Sequence, residues 1–183
     1  MKTIKKSRFS AVVINTIYLW IFLIAVLFSA NVNAEVIKIL FQGDTQKIVD
    51  QAPDDYLLTM DNTLTDNVTN VAAFILHMGD ITEDSKASNW DTAQTGLWKL
   101  DGNIPYVLNV GNNDLVGDPS ADHFNEHFPL SRYSSWPSFV SNYDRHNNVA
   151  HHFNAGGVDW LVISVRYGHG SGEMTWTENL IQN

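Results

Sequence analysis

The chain has no cysteine in its 183 residues. That removes disulfides, thiol nucleophiles and thiolate metal ligands, and also the lipid-anchoring cysteine that follows the leader of an exported lipoprotein. Stability has to come from a packed core. Acidic residues are missing before Glu35, whereas four of the 11 basic ones, Lys2, Lys5, Lys6 and Arg8, fall in the first eight positions. From Glu35 onward seven basic residues face all 20 acidic ones, a balance of −13. A field of that sign repels phosphate backbones at long range and excludes a broad nucleic-acid-binding face. It still permits a phosphate ligand where metal ions sit between it and the carboxylates. Internal repeats, low-complexity tracts and Pro/Gly-rich linkers are also lacking, so nothing divides the body of the chain.

What is present begins with a leader. Met1 to Arg8 is a positive segment, Ile17 to Phe28 is apolar, and Val32-Asn33-Ala34 places a small residue before an expected cleavage point. That is the layout of a secretory signal over residues 1–34. The competing reading is an uncleaved anchor, because Ala11 to Ala30 carries no charge and 20 residues span a bilayer. Either reading exports the body to the periplasm or the extracellular space, and a membrane is a partner only on the second. Residues 35–183 then form one domain.

Four apolar runs read as strands: Val36 to Phe41, Ala72 to Met78, Tyr106 to Val110 and Trp160 to Val165. They are nearly continuous in apolar character, the pattern of strands buried on both faces. Tyr56 to Asn70 reads as helical. A second helix is expected from an N-cap at Ser88, with Trp90, Ala93, Leu97 and Leu100 on one face and an end near Gly102. Gly96 inside it costs about 1 kcal/mol relative to alanine, which packing must offset. Alternating strands and helices argue for an α/β architecture. The stretch from Gly117 to Asn148 reads as a long ordered excursion over the strand ends.

The first three strands finish alike. Asp44, Asp80 and Asn112 each follow a glycine at the carboxyl end of an apolar run, 36 and 32 residues apart. In an open α/β sheet ligands bind outside the carboxyl ends of the strands. Three short oxygen-bearing side chains brought together there repel unless a cation holds them. Each Gly-Asp or Gly-Asn taken alone is an ordinary turn dipeptide; the ordered trio is what points to a metal.

In order and spacing, Asp44-Thr45-Gln46, Gly79-Asp80-Ile81-Thr82-Glu83 and Gly111-Asn112-Asn113-Asp114 resemble the first three motifs of the calcineurin-like metallophosphoesterases, D-x-H, G-D-x-x-D/E and G-N-H-D/E. Ala155-Gly156-Gly157-Val158-Asp159-Trp160-Leu161 resembles a later turn and strand of exported members. The resemblance implies a metallophosphoesterase-like α/β/β/α sandwich. It also implies two divalent or trivalent metal ions, iron, zinc or manganese, and a hydrolase in which a metal-bound hydroxide attacks a small phosphoester. By the same resemblance Asp44 binds one metal, Asp80 bridges both and Asn112 binds the second. Glu83 and Asp114 orient these ligands from behind.

Three departures from the pattern matter. Gln46 stands where the first motif usually has histidine, as in a D-T-Q branch of the family, and reads as a weaker or indirect metal contact. Asn113 takes the catalytic position of the G-N-H histidine, and an amide cannot protonate a leaving oxygen. The later histidines of the family are not met before Asn183, since Gly168-His169-Gly170-Ser171 lacks the second histidine of G-H-x-H and falls too early. The expectation is therefore a domain incomplete on its C-terminal side, prone to self-association. The alternative is a non-catalytic remnant that keeps the fold and at most binds metal.

The other histidines read as structural. His77 is expected to pack in the second strand with both nitrogens satisfied, His123 and His127 to belong to an aromatic helix face, and His151-His152 to flank a strand start. Tyr133, Trp136, Phe139 and Tyr143 either floor a substrate pocket or anchor the excursion.

Overall fold

The computed structural model describes residues 37–69 and 72–182; the expected leader lies outside the described residues. A parallel sheet is built from β1 (Ile39–Gln42), β2 (Phe74–His77) and β3 (Tyr106–Val107) in the order β1-β2-β3. Between the strands run α1 (Gln46–Gln51), α2 (Pro53–Thr69) and α3 (Ala87–Leu97), the last continued by a 3-10 turn, Trp98–Leu100. A second, antiparallel sheet follows, β4 (Phe139–Tyr143), β5 (Asn148–Ala155) and β6 (Val158–Ser164). The excursion carries α4 (Asp122–His127) and α5 (Leu130–Tyr133), and α6 (Ser171–Gln182) ends the described chain.

Two apolar layers hold these pieces. The larger lies between the parallel sheet and the helices, with Tyr56, Met60, Ile75, Trp90, Leu97, Tyr106 and Phe124 all buried. Gly96 sits where α3 crosses α2; a Cβ there would overlap the Tyr56 ring and approach Met60 Cγ to 2.9 Å, so close packing offsets the cost of the glycine. The smaller layer joins the two sheets through Phe74, Val107 and Val149. Phe74 stacks on Phe153 with centroids 4.6 Å apart. Beyond the second sheet α6 meets β4 through Trp176 and Tyr143. Helices, parallel sheet, antiparallel sheet and helix follow in the order the resemblance implied.

Several expectations need correction. β1 is not buried on both faces, because it is the edge of its sheet and leaves Phe41 70% exposed. β3 ends after two residues rather than at Val110. Beyond Val107 its carbonyls turn to the second sheet, where Leu108 O accepts from Ser164 Oγ and Val110 O from Tyr167 N–H. α3 starts at Ala87 behind Lys86, with no side-chain cap, so Ser88 is not its N-cap. The excursion also holds β4 and the start of β5, which carry too many polar residues to show as apolar runs.

Candidate metal centre

Each of the three parallel strands hands the chain to a tight polar turn at its carboxyl end, and these turns are knitted together. Thr45 N–H and Gln46 N–H both donate to Asp80 O, at 3.1 and 3.0 Å. Met78 N–H donates to Gln42 O at 2.9 Å. The Gly79 and Gly111 backbones pass so closely that a Cβ on Gly79, whose φ is +96°, would stand 3.0 Å from Gly111 N.

Asp80 itself has a φ of +51°. A left-handed aspartate costs about 1–2 kcal/mol and is kept only where its surroundings impose it. Here the two donors to its carbonyl fix the backbone. Its carboxylate is fixed as well: Asn113 N–H donates to Oδ1 and Asn113 Nδ2 to Oδ2, both at 2.9 Å. Each oxygen retains a lone pair for a further ligand.

Asp114 ties the second turn to the third from below. Fully buried, it accepts backbone N–H bonds from Ile81 (3.2 Å), Thr82 (2.8 Å) and Gly111 (2.9 Å), and a hydroxyl bond from Thr82. Burial pushes its carboxyl up to about 6, against the pull of those donors. Beneath the first turn, Gly79 N–H donates to His77 Nδ1, which leaves the proton on Nε2 to reach Thr45 Oγ1 at 3.1 Å. Thr45 Oγ1 then donates to Ile81 O. Burial drives His77 down to about 4, so it is a neutral strut with both nitrogens engaged, as its place in the strand suggested.

Above these turns opens a cavity of about 600 Å3 lined by Asp44, Asp80 and Asn112 together. Gln46, at the start of α1, and Glu83, paired with Lys47 at 2.6 Å, are not among its lining residues. Sequence reasoning missed two contributors. Asn109, two residues before Gly111, lines the cavity with its Oδ1 buried and unpartnered. The turn after β6 lines it too, with Arg166, Tyr167 and His169; in the sequence that turn shows only a G-H-x-H pattern without its second histidine.

Among the described residues no three His, Cys, Asp or Glu side chains converge on one point, so a cation here must draw on amide oxygens. Two carboxylates, the Asn112 amide and the orphaned Asn109 acceptor make such a set, and oxygen donors of this kind suit divalent cations. The residues present therefore fit a metal. Arg166 is the lining residue with a fixed positive charge.

The remaining histidines lie elsewhere. His127 stacks on Trp90 and bonds Asp91, His123 meets Ser85, and His151 is buried against Phe74 and Ser138. Tyr133 and Trp136 pack on Tyr106 and anchor the excursion.

A family model described as calcineurin-like phosphoesterase matches residues 37–182. No curated protein matches the chain.

Proposed function

This chain belongs to the calcineurin-like phosphoesterase family, and from that premise we propose that it hydrolyses small phosphoesters at a dinuclear metal centre held by Asp44, Asp80 and Asn112. One observation carries the reading: three oxygen-bearing side chains from the carboxyl ends of three adjacent parallel strands line one cavity. When bound, the metal ions supply Lewis-acid polarisation of the phosphoryl group and lower the pKa of the attacking water. The chain's own residues do the rest. Asp80 is presented by its left-handed backbone and gripped by Asn113, so its orientation is set before any ligand arrives. Asn109 adds an acceptor that nothing else uses. Arg166, held by its Nη2 donating to Pro119 O at 2.7 Å, brings a positive charge to the wall that a phosphoryl oxygen would face.

Asp44-Thr45-Gln46 supports placement in the D-T-Q branch, with Gln46 acting through its backbone N–H on Asp80 rather than as a direct ligand. The basic and apolar leader supports an exported setting. The decisive assay supplies Mn²⁺, Zn²⁺ or Fe²⁺ with an activated aryl phosphate and repeats it with Asp80→Ala. Turnover that needs the metal and disappears in the variant is expected; turnover unchanged by the substitution removes the assignment.

A second reading, a metal-binding module without turnover, is favoured by one observation. Asn113 stands in place of the motif histidine and its amide is committed to Asp80. Metal analysis separates the two, since two ions per chain favour the enzyme and none, or one weakly held, favours the module.

A further inference from the structure

The turn joining β6 to α6 lines the same cavity as the three strand ends. His169 stands on it, exposed, between Gly168, whose φ is +68°, and Gly170. The turn is tied on both sides: Tyr167 N–H donates to Val110 O at 2.8 Å, two residues before Asn112, and Gly170 N–H donates to Glu173 Oε2 at 3.0 Å. An imidazole is thus carried on an anchored turn in the lining of the cavity that Asp44, Asp80 and Asn112 share.

The position where the motif carries its proton donor offers only the amide of Asn113, which is not an acid and is already bonded to Asp80. Of the side chains lining the cavity, Tyr167 and His169 carry protons of the kind used in general acid catalysis, and imidazole is the group most often used in that role.

We propose that His169 is the general acid for phosphoester cleavage, serving esters whose alcohols are poor leaving groups; the inference rests on the phosphoesterase reading above. As the bond between phosphorus and the ester oxygen breaks, its electron pair passes to that oxygen, which takes the proton of the His169 imidazolium and departs as a neutral alcohol. The oxygen of the attacking water forms the new bond to phosphorus. The proton this water sheds restores the imidazolium, so one ester and one water give one alcohol and one phosphate.

The test compares wild type, His169→Gln and Asp80→Ala, with Mn²⁺, on 4-nitrophenyl phosphate, phenyl phosphate and an alkyl phosphate, and measures Mn²⁺ affinity by calorimetry. His169 is exposed, so the variant is expected to fold, and a melting curve checks it. With His169→Gln the loss in kcat/KM should grow along the series, from about 10-fold or less on the nitrophenyl ester to about 10²-fold or more on the alkyl ester. Mn²⁺ affinity should stay within about 3-fold, against the 10- to 100-fold typical of a disturbed metal site. A loss equal across the series, or no loss, overturns the assignment while Asp80→Ala still abolishes turnover and leaves the phosphoesterase reading intact. A matching fall in Mn²⁺ affinity also overturns it, by making His169 a ligand. A wild-type chain that turns over none of the esters overturns both.

Discussion

Gly111 lies directly against Asp80, so close that a Cβ built on Gly111 would overlap both the Oδ1 and the backbone nitrogen of the aspartate. The glycine of the third turn is therefore part of how the second turn presents its carboxylate. Its own backbone N–H is committed to Asp114, so it cannot retreat without losing that bond.

Gly111→Ala should consequently damage the site more than the fold. Overpacking of this kind costs about 1–3 kcal/mol, read as a shift of a few degrees in melting temperature. Mn²⁺ affinity and phosphatase activity should each fall by about 10²-fold, as expected when a ligand is misplaced by roughly an ångström. Paired melting and calorimetric titration measure the two effects.

Asp114→Ala should act in the opposite proportion. It strands three backbone donors and the Thr82 hydroxyl in a site with no exposure. Each unsatisfied buried group costs about 1–3 kcal/mol, enough in sum to unfold a marginal domain. Asp114→Asn keeps an accepting oxygen and should be the milder of the two in urea denaturation.

Asn113→Ala removes the side-chain bond to Asp80 Oδ2 and leaves the backbone bond to Oδ1. Loss of such an orienting contact typically lowers metal affinity by about 10- to 100-fold. A titration with Mn²⁺ should show that weakening with little change in melting temperature.

Acid should destabilise the domain through its buried histidines, against the smaller opposing effect of Asp114, whose carboxyl burial raises to about 6. His146 is buried between Phe124 and Tyr133, with Nδ1–H on Phe128 O at 2.7 Å, and His151 is buried against Phe74. Burial holds each down to about 4 in the fold, whereas an unfolded imidazole titrates near 6.5. Between those values the unfolded chain binds more protons, so the stabilisation is complete above about 6.5 and is lost as pH falls towards 4, by a few kcal/mol per histidine. His146→Phe should flatten this slope in denaturation curves measured from pH 7 to 4.

The first two strands and their turns were legible in the sequence because an apolar run broken by Gly-Asp marks both, whereas β3 ends at Val107 although its apolar run continues to Val110. The helix face of Trp90, Ala93 and Leu97 was legible for the same reason of periodicity, and so was the structural role of His77. β4 and β5 were not, because Ser141, Asn142, Asn148, His151 and His152 interrupt their apolar pattern. The buried members of that set are satisfied by bonds the sequence does not show, such as Asn148 to Tyr143 O and His151 to Ser138. The turn after β6 was hidden in another way. Arg166, Tyr167 and His169 are brought to the site by bonds such as Tyr167–Val110 and Ser164–Leu108, which join positions more than 50 residues apart.

The central claim is that Asp44, Asp80 and Asn112 hold metal as one site. Calorimetric titration of Mn²⁺ into wild type and into Asp44→Ala, Asp80→Ala and Asn112→Ala tests it most directly. The account predicts that each substitution weakens binding by at least about 10-fold while the melting temperatures of Asp44→Ala and Asn112→Ala, the two exposed members, are unchanged. Wild-type affinity in all three variants would contradict it.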